Sequence, residues 1–346
     1  MTRRIGIGLL CALALSVSAG EAAAERVRLR VQSGFQQNMP VIGEMLSRVA
    51  EIVETGGRDD VRLRLYDPGK LVPTLQIFDA VASGKIEAGW AWPGYWMGKI
   101  PAMTVFGSVP FGPGADEYLA WLYAGGGLEL WRELYAPHGV VPIPCGLLPP
   151  EASGWFARPI ETAEDLRGLK IRYAGLGGKV LERLGASITM LAGSDVFPSL
   201  ERGVIDATEF SIPSVDREMG FYKVAKHYYF PGWHQPGSVM ELIVHRDSWE
   251  RLSPAQQRYL ENACAAGAAW GLARGLATQS EALDFFRSEG VILHRWSDEL
   301  MQLFRRVSAE VMEEASASDP DFRRVWQSLQ DFRERQAEWR ELAYPE

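Results

Sequence analysis

Asp165-Leu-Arg-Gly-Leu-Lys-Ile-Arg172, running on into Tyr173-Ala-Gly-Leu-Gly-Gly178, is the stretch that decides the fold. Gly168 breaks a polar lead-in. Leu169, Ile171 and Tyr173 then alternate with Lys170, Arg172 and Ala174, the period-two pattern of a strand. Gly175, Gly177 and Gly178 end that strand, and a helix is expected from Lys179. Arg172 therefore falls at the carboxyl end of a strand, where open α/β sheets bind their ligands. Its guanidinium offers a planar fork of donors that matches a carboxylate.

Outward from this stretch the pattern repeats. Val196-Phe-Pro-Ser-Leu-Glu-Arg-Gly203 reads as a helix turn, and Val204-Ile-Asp-Ala-Thr-Glu209 as a short strand ending at Glu209. Upstream, strands at Val27–Val31, Val61–Leu65 and after Gly84 alternate with helices at Val41–Val53 and Thr74–Ala82. That β-α-β-α-β order predicts a parallel sheet. Gly89-Trp-Ala-Trp-Pro-Gly-Tyr-Trp-Met-Gly-Lys99 follows the third strand and packs four aromatics into a Gly/Pro frame, which suits a cleft wall. A helix is expected over Ala115–Tyr135 and a strand over Val140–Pro144. A long helix starts at Ser253-Pro254, a cap followed by proline in the first turn. Ser297 and Asp319-Pro320 start the last two helices.

The Asp165–Arg172 and Gly203–Glu209 motifs resemble "DLrGlKiR" and "GvvDgaE" of the solute-binding proteins of tripartite ATP-independent periplasmic (TRAP) transporters, the DctP-like family. The likeness covers essentially the whole chain after residue 24. It is strongest to the branch that binds 2-oxo acids and lactate, through Pro68–Gly89, Tyr95-Trp96 with Gly98-Lys99 ("YYWtGK"), and Gly220–Gly237 ("GfykvakyYyyPGWhepg"). The resemblance implies an α/β, two-lobed periplasmic binding protein with hinge strands and long C-terminal helices. One lobe would hold residues 25–148 and about 238–275. The other would hold 149–237 and part of 276–296, with helices over 297–346 packing on the lobes or on a second protomer.

The family also implies a site. Arg172 would grip a ligand carboxylate. Trp92, Tyr95, Trp96, Phe210, Glu151 and Gln36 of the polar loop Gln32–Asn38 are the further substrate-binding candidates. A cation, Ca²⁺ or Na⁺, would sit on Glu151, Glu209, the Phe210 carbonyl and Glu241, and no organic cofactor is implied. Two departures stand out. Gly94 lies where the branch often has an aromatic, which predicts a larger pocket or a change in what it accepts. Glu151 lies where the branch has the Gln of "QmgGWF". Three carboxylates and a ligand carboxylate favour a divalent ion over Na⁺. The opposite reading has Glu151 repel an acid or accept from hydroxyls, marking a polyhydroxylated ligand. As a strand acid among apolar neighbours, Glu241 should face solvent or be paired.

Composition sets the compartment. Arg3-Arg4, the apolar run Ile5–Val17 and Ala22-Ala-Ala24 form a secretory signal over residues 1–24, too short to span a membrane. Cleavage there changes the formal net charge from −8 to −9, which argues against nucleic acid as a partner. The expected setting is the periplasm, with TRAP membrane subunits as partners and pairing of two protomers as a further expectation. Cys145 and Cys264 lie in apolar settings and read as two buried thiols, with one disulfide as the alternative in an oxidising compartment. An enzyme is not expected: the five histidines lack zinc-enzyme spacing, and there is no Gly-x-Ser-x-Gly elbow or P-loop. The alternatives are a secreted metal-dependent enzyme acting on a small carboxylate, and a binding protein for another transporter or sensor.

Overall fold

The computed structural model describes residues 27–56 and 61–343; the expected signal peptide lies outside them. Strands are numbered in chain order. The first sheet holds β1 (Val27–Ser33), β2 (Val61–Tyr66), β3 (Ala88–Ala91), β4 (Val140–Leu148) and β10 (Ser238–His245), in the order β2-β1-β3-β10-β4. The second holds β5 (Gly154–Phe156), β6 (Lys170–Arg172), β7 (Ser187–Thr189), β8 (Ala207–Thr208), β9 (His227–Phe230) and β11 (Ile292–Arg295), in the order β11-β9-β5-β8-β6-β7. The architecture is thus α/β with two sheets.

Local pattern explains most of these elements. In β1, Val27, Leu29 and Val31 are buried while Arg28 and Arg30 are exposed. β1 pairs in parallel with β2 (Val27 opposite Val61) and with β3 (Val31 opposite Ala88), as the β-α-β-α-β order predicts. The helix Ile42–Gly56 buries Ile42, Met45, Leu46, Val49 and Val53, spaced to form one stripe. β4 carries Pro142 and Pro144 and lies at the sheet edge, where a missing N–H is tolerated.

The chain passes between the sheets at 149–153, at 231–237 and along the helix Pro254–Ser288. That helix packs by its glycines. A Cβ at Gly267 would come 2.4 Å from Val49, and one at Gly275 2.6 Å from Pro149. Its far end reaches the other half, where Gln279 accepts from the Ser214 N–H at 3.0 Å and Phe286 meets Trp155 at 4.9 Å. The helix Asp298–Ser318 joins the second half through Arg183, which pairs with Glu310 and Glu314. The helix Pro320–Arg335 joins the first half through Arg324 and Glu133.

Four sequence expectations need correction. Cys145 and Cys264 are not free thiols but a disulfide between β4 and the helix Pro254–Ser288. The small residues of that helix bring it close enough to the strand for the two buried sulfurs to meet. The expected helix Ala115–Tyr135 is two helices, Ala115–Ala124 and Gly127–Tyr135, broken where Gly126 takes a φ of 86°. The helix after β6 begins at Gly175, not Lys179. Its glycines are its first turn, pressed on neighbours: a Cβ at Gly177 would lie 2.7 Å from the His234 Cβ, and one at Gly178 2.8 Å from the Tyr173 carbonyl oxygen. Last, the place of Gly94 is not an enlarged pocket, because the Trp92 ring fills it; a Cβ there would come within 2.0 Å of that ring.

Candidate functional site

β6 and β8 are parallel neighbours, with Arg172 opposite Thr208. Arg172 and Glu209 therefore emerge side by side at the carboxyl ends of the two strands. Arg172 Nη1 donates to Glu209 Oε2 at 2.9 Å and to the Glu209 carbonyl at 2.6 Å. The Ala174 N–H donates to the same Oε2 at 3.1 Å. Both side chains are buried, at 1% exposure. Burial pushes the Glu209 carboxyl up, but Arg172, His234 and the Ala174 N–H outweigh it and hold the group below the ordinary value. The Phe210 ring lies 5.3 Å from the guanidinium carbon and screens one face.

Glu151 forms the opposite wall. It stands on the first interlobe passage, which zips to the second: the Glu151 N–H donates to the Gln235 carbonyl at 3.2 Å and the Gly232 N–H to the Glu151 carbonyl at 3.0 Å. Only glycine fits at 232, since a Cβ would lie 2.2 Å from that carbonyl oxygen. The Glu151 carboxylate accepts from the Ser238 hydroxyl at 2.8 Å. With its amide nitrogen turned toward the acid, Gln235 donates to both carboxylate oxygens at 2.8 and 2.7 Å. Burial, and then the charge of Glu209, push the Glu151 carboxyl well above its ordinary value.

Beside the two acids sits His234, at 2% exposure and 3.6 Å from Glu209 Oε1. Among the described residues, Glu209 Oε1 and both ring nitrogens of His234 have no hydrogen-bond partner. Ligand atoms of Glu151, Glu209 and His234 all lie within 4.8 Å of one another. Two carboxylates with an unpartnered oxygen between buried walls fit a hard cation, whose ligands are oxygens. Unpartnered buried polar atoms are costly, so this cluster is built for an occupant.

The aromatic segment supplies the cover unevenly. Tyr95 stands nearest the charges; burial pushes its hydroxyl up to about 12, with Arg172 pulling the other way. Phe35 stacks on it at 6.0 Å and Trp92 meets it edge-on at 5.7 Å. Trp92 also reaches across to the second sheet's half, where a Cβ on Gly175 would come 2.7 Å from its ring. Trp90 belongs to β3 and is core. Trp96 is buried against Phe78 at 5.8 Å, behind Tyr95.

Of the residues singled out from sequence, Arg172, Glu151, Glu209, Phe210, Tyr95 and Trp92 are brought together. Gln36 is not: it is exposed. Glu241 does not join the acid cluster either. It is fully buried, and its carboxylate accepts from Trp96 Nε1 at 2.7 Å and the Tyr135 hydroxyl at 2.8 Å. His234 and Gln235 were missed. A signal for Gln235 was present: the "PGWhepg" pattern has Glu where Gln235 stands, and "QmgGWF" has Gln where Glu151 stands. Acid and amide have exchanged positions on the same wall, where Gln235 donates to the Glu151 carboxylate, so these two departures are one.

The chain is similar to known extracellular solute-binding proteins. The model of the bacterial extracellular solute-binding proteins, family 7 (DctP), matches residues 35–319. A monocarboxylate 2-oxoacid-binding periplasmic protein of Nostoc is 35% identical over 95% of this chain and 91% of its own. A TRAP transporter solute-binding protein of Bordetella bronchiseptica, solved as a mixed-occupancy dimer with calcium and picolinate, has a TM-score of 0.90 and 32% identity, covering 92% of this chain and 95% of that one. One from Pseudoalteromonas atlantica, with sodium and pyruvate, has a TM-score of 0.87 and 32% identity, covering 91% and 96%.

Proposed function

This chain belongs to family 7 of the bacterial extracellular solute-binding proteins, and on that premise we propose that it captures a small 2-oxo or 2-hydroxy monocarboxylate together with a cation for TRAP membrane subunits. The family is periplasmic, and no helix among the described residues is long and apolar enough to cross a membrane. The observation that carries the reading is the buried Arg172–Glu209–Glu151 cluster with its unpartnered Glu209 oxygen at the strand ends. Arg172, locked by Glu209 and faced by Phe210, presents its remaining donors, the unpartnered Nε among them, to the ligand carboxylate. Tyr95 and Trp92 close the apolar side. The cation neutralises acid charge between the carboxylates and the ligand oxygens.

Charge favours a divalent ion. Glu151, Glu209 and the ligand carboxylate are balanced by Arg172 and two further positive charges. Because Glu241 lies outside the cluster, the excess is smaller than three site carboxylates would give, yet the preference stands. Gln235 and Ser238 hold both Glu151 oxygens, which supports a cation ligand rather than an acceptor for sugar-like hydroxyls. The passages at 149–153 and 231–237 and the helix Pro254–Ser288 are the hinge, with lobes of 25–148 plus about 238–275 and of 149–237 plus part of 276–296. Protomer pairing belongs to the helix Ala337–Ala343, whose Trp339 and Leu342 are exposed; a monomer in sedimentation at all concentrations would remove it.

The test is the melting temperature of the mature protein with pyruvate, lactate, picolinate and hydroxylated acids, each with Ca²⁺, Na⁺ or chelator. A ligand at about 100 times its Kd adds ~2.7 kcal/mol. A rise with one 2-oxo or 2-hydroxy acid that chelator abolishes supports the reading. A rise indifferent to chelator removes the cation, and a response confined to hydroxylated acids removes the substrate class.

A further inference from the structure

Glu241 is a buried acid that the cation cluster does not use. It is 0% exposed, and no lysine, arginine or histidine pairs with it among the described residues. It stands at an irregularity in the sheet: β10 and β4 pair Met240 with Gly146 but Glu241 with Pro144, so the register shifts at this point. Such irregularities re-aim a side chain. Here the carboxylate is turned toward the 3₁₀ turn Pro93–Trp96 and the end of the helix Gly127–Tyr135.

Its two oxygens are used separately. Oε1 accepts from Trp96 Nε1 at 2.7 Å, and Oε2 from the Tyr135 hydroxyl at 2.8 Å. The surroundings are apolar: Phe78 meets Trp96 at 5.8 Å and Tyr135 at 5.3 Å. An apolar residue there would avoid the desolvation cost of the acid. What the acid supplies instead is direction. Trp96 is covalently next to Tyr95, and their rings meet edge-on at 6.1 Å. Fixing the indole fixes the short turn, and with it the Tyr95 ring, which packs with Phe35 at 6.0 Å and Trp92 at 5.7 Å.

We propose that Glu241 is a positioning residue of the binding cleft: it acts through Trp96 to hold Tyr95 in the aromatic cover and does not ligate the cation. This rests on the cleft being a carboxylate site. β10 then serves both walls, since Ser238 of the same strand holds Glu151. The side chain at 241 sets how rigidly the aromatic cover is presented, and so affects ligand affinity rather than cation requirement.

The test compares E241Q and E241L in the full mature chain, with pyruvate and Ca²⁺ as probes. Gln keeps an acceptor for Trp96 and a group for Tyr135; Leu keeps the volume and loses both. Expected are pyruvate affinity within about threefold of wild type for E241Q and at least about tenfold weaker for E241L, with unchanged Ca²⁺ stoichiometry in both. The Trp96 indole N–H resonance should keep its hydrogen-bonded shift in E241Q and lose it in E241L. Loss of the Ca²⁺ requirement in E241Q would overturn the proposal in favour of a cation ligand. Wild-type affinity in E241L, with only a lower melting temperature, would overturn it in favour of a structural role. If E241L fails to fold, W96F replaces it, with the same tenfold loss expected and wild-type affinity overturning. If the wild type binds no small monocarboxylate at all, the cleft reading fails, while the indole resonance still reports whether Glu241 holds Trp96.

Discussion

Glu209 and Asp216 are both buried acids in the second half of the molecule, and their surroundings differ. Asp216 has no cationic partner among the described residues, yet its oxygens are taken: Trp155 Nε1 and the Tyr228 hydroxyl donate to Oδ2 at 2.9 and 2.8 Å, and the Ser211 N–H to Oδ1 at 3.1 Å. Trp155 and Tyr228 stack at 3.8 Å, closing the pocket. Glu209 has a cationic partner, and one of its oxygens is left over. A network that is complete supports the fold; one left open between two walls expects an occupant. Charge alone would rank the two the other way, since the ion pair looks like the finished interaction.

The sharpest way to break the contrast is R172A. It removes the ligand's cationic contact and leaves Glu209 buried without its partner, a change that costs about 3–5 kcal/mol in comparable pairs. Carboxylate affinity should fall at least ~100-fold in calorimetry, with a lower melting temperature. Binding within a few fold of wild type would sink the assignment of Arg172. G175A comes next. Its Cβ would lie 2.7 Å from Trp92 at a backbone φ of +61°. Such overpacking costs about 1–3 kcal/mol, so affinity should drop roughly tenfold, chiefly through a faster off-rate in stopped flow. E151Q should weaken Ca²⁺ binding by ~10-fold through lost charge, while the acid still binds at saturating Ca²⁺. An unchanged Ca²⁺ titration would take Glu151 out of the cation site.

D216N should scarcely move ligand affinity. Its amide cannot accept from every donor that Asp216 satisfies, so stability should fall by about 1–3 kcal/mol. The pH profile separates the two acids further. Burial raises the Asp216 carboxyl from 3.8 to about 7, against the Trp155 and Tyr228 hydrogen bonds. A raised acid favours the folded state fully below its unfolded value and loses that contribution as pH climbs to its folded value. Wild-type melting temperature should therefore decline relative to D216N between about pH 4 and 7 and run parallel above. A flat difference would show that Asp216 stays ionised.

Much of the site was legible because its signals are local. A strand period followed by glycine places Arg172 at a strand end whatever the rest of the chain does, and the short run after Gly203 places Glu209 at the end of another. What was not legible depended on pairing across the chain. The resemblance made Glu241 a third cation ligand, while its strand context said only that it would face solvent or be paired; a register shift against β4 sends it to Trp96 and Tyr135. Gln36 lay in a polar loop beside Phe35, and the backbone turned the aromatic inward and the amide out. The glycines at 175–178 looked like a loop, because the reason for them is the approach of His234 and Tyr173. Cys145 and Cys264 are 119 residues apart, and only the packing of helix on strand makes them partners.

By itself, the sequence determined the alternation of strands and helices, the acidic balance and the arginine at a strand end, which follow from composition and short-range period, and its motifs carried the resemblance to the family. The tertiary structure decided which acids share a cluster, that His234 and Gln235 stand with them, and that Trp92 packs on Gly175. Those outcomes turn on contacts of a few ångströms between segments distant in the chain, set by backbone pairing that no local pattern encodes.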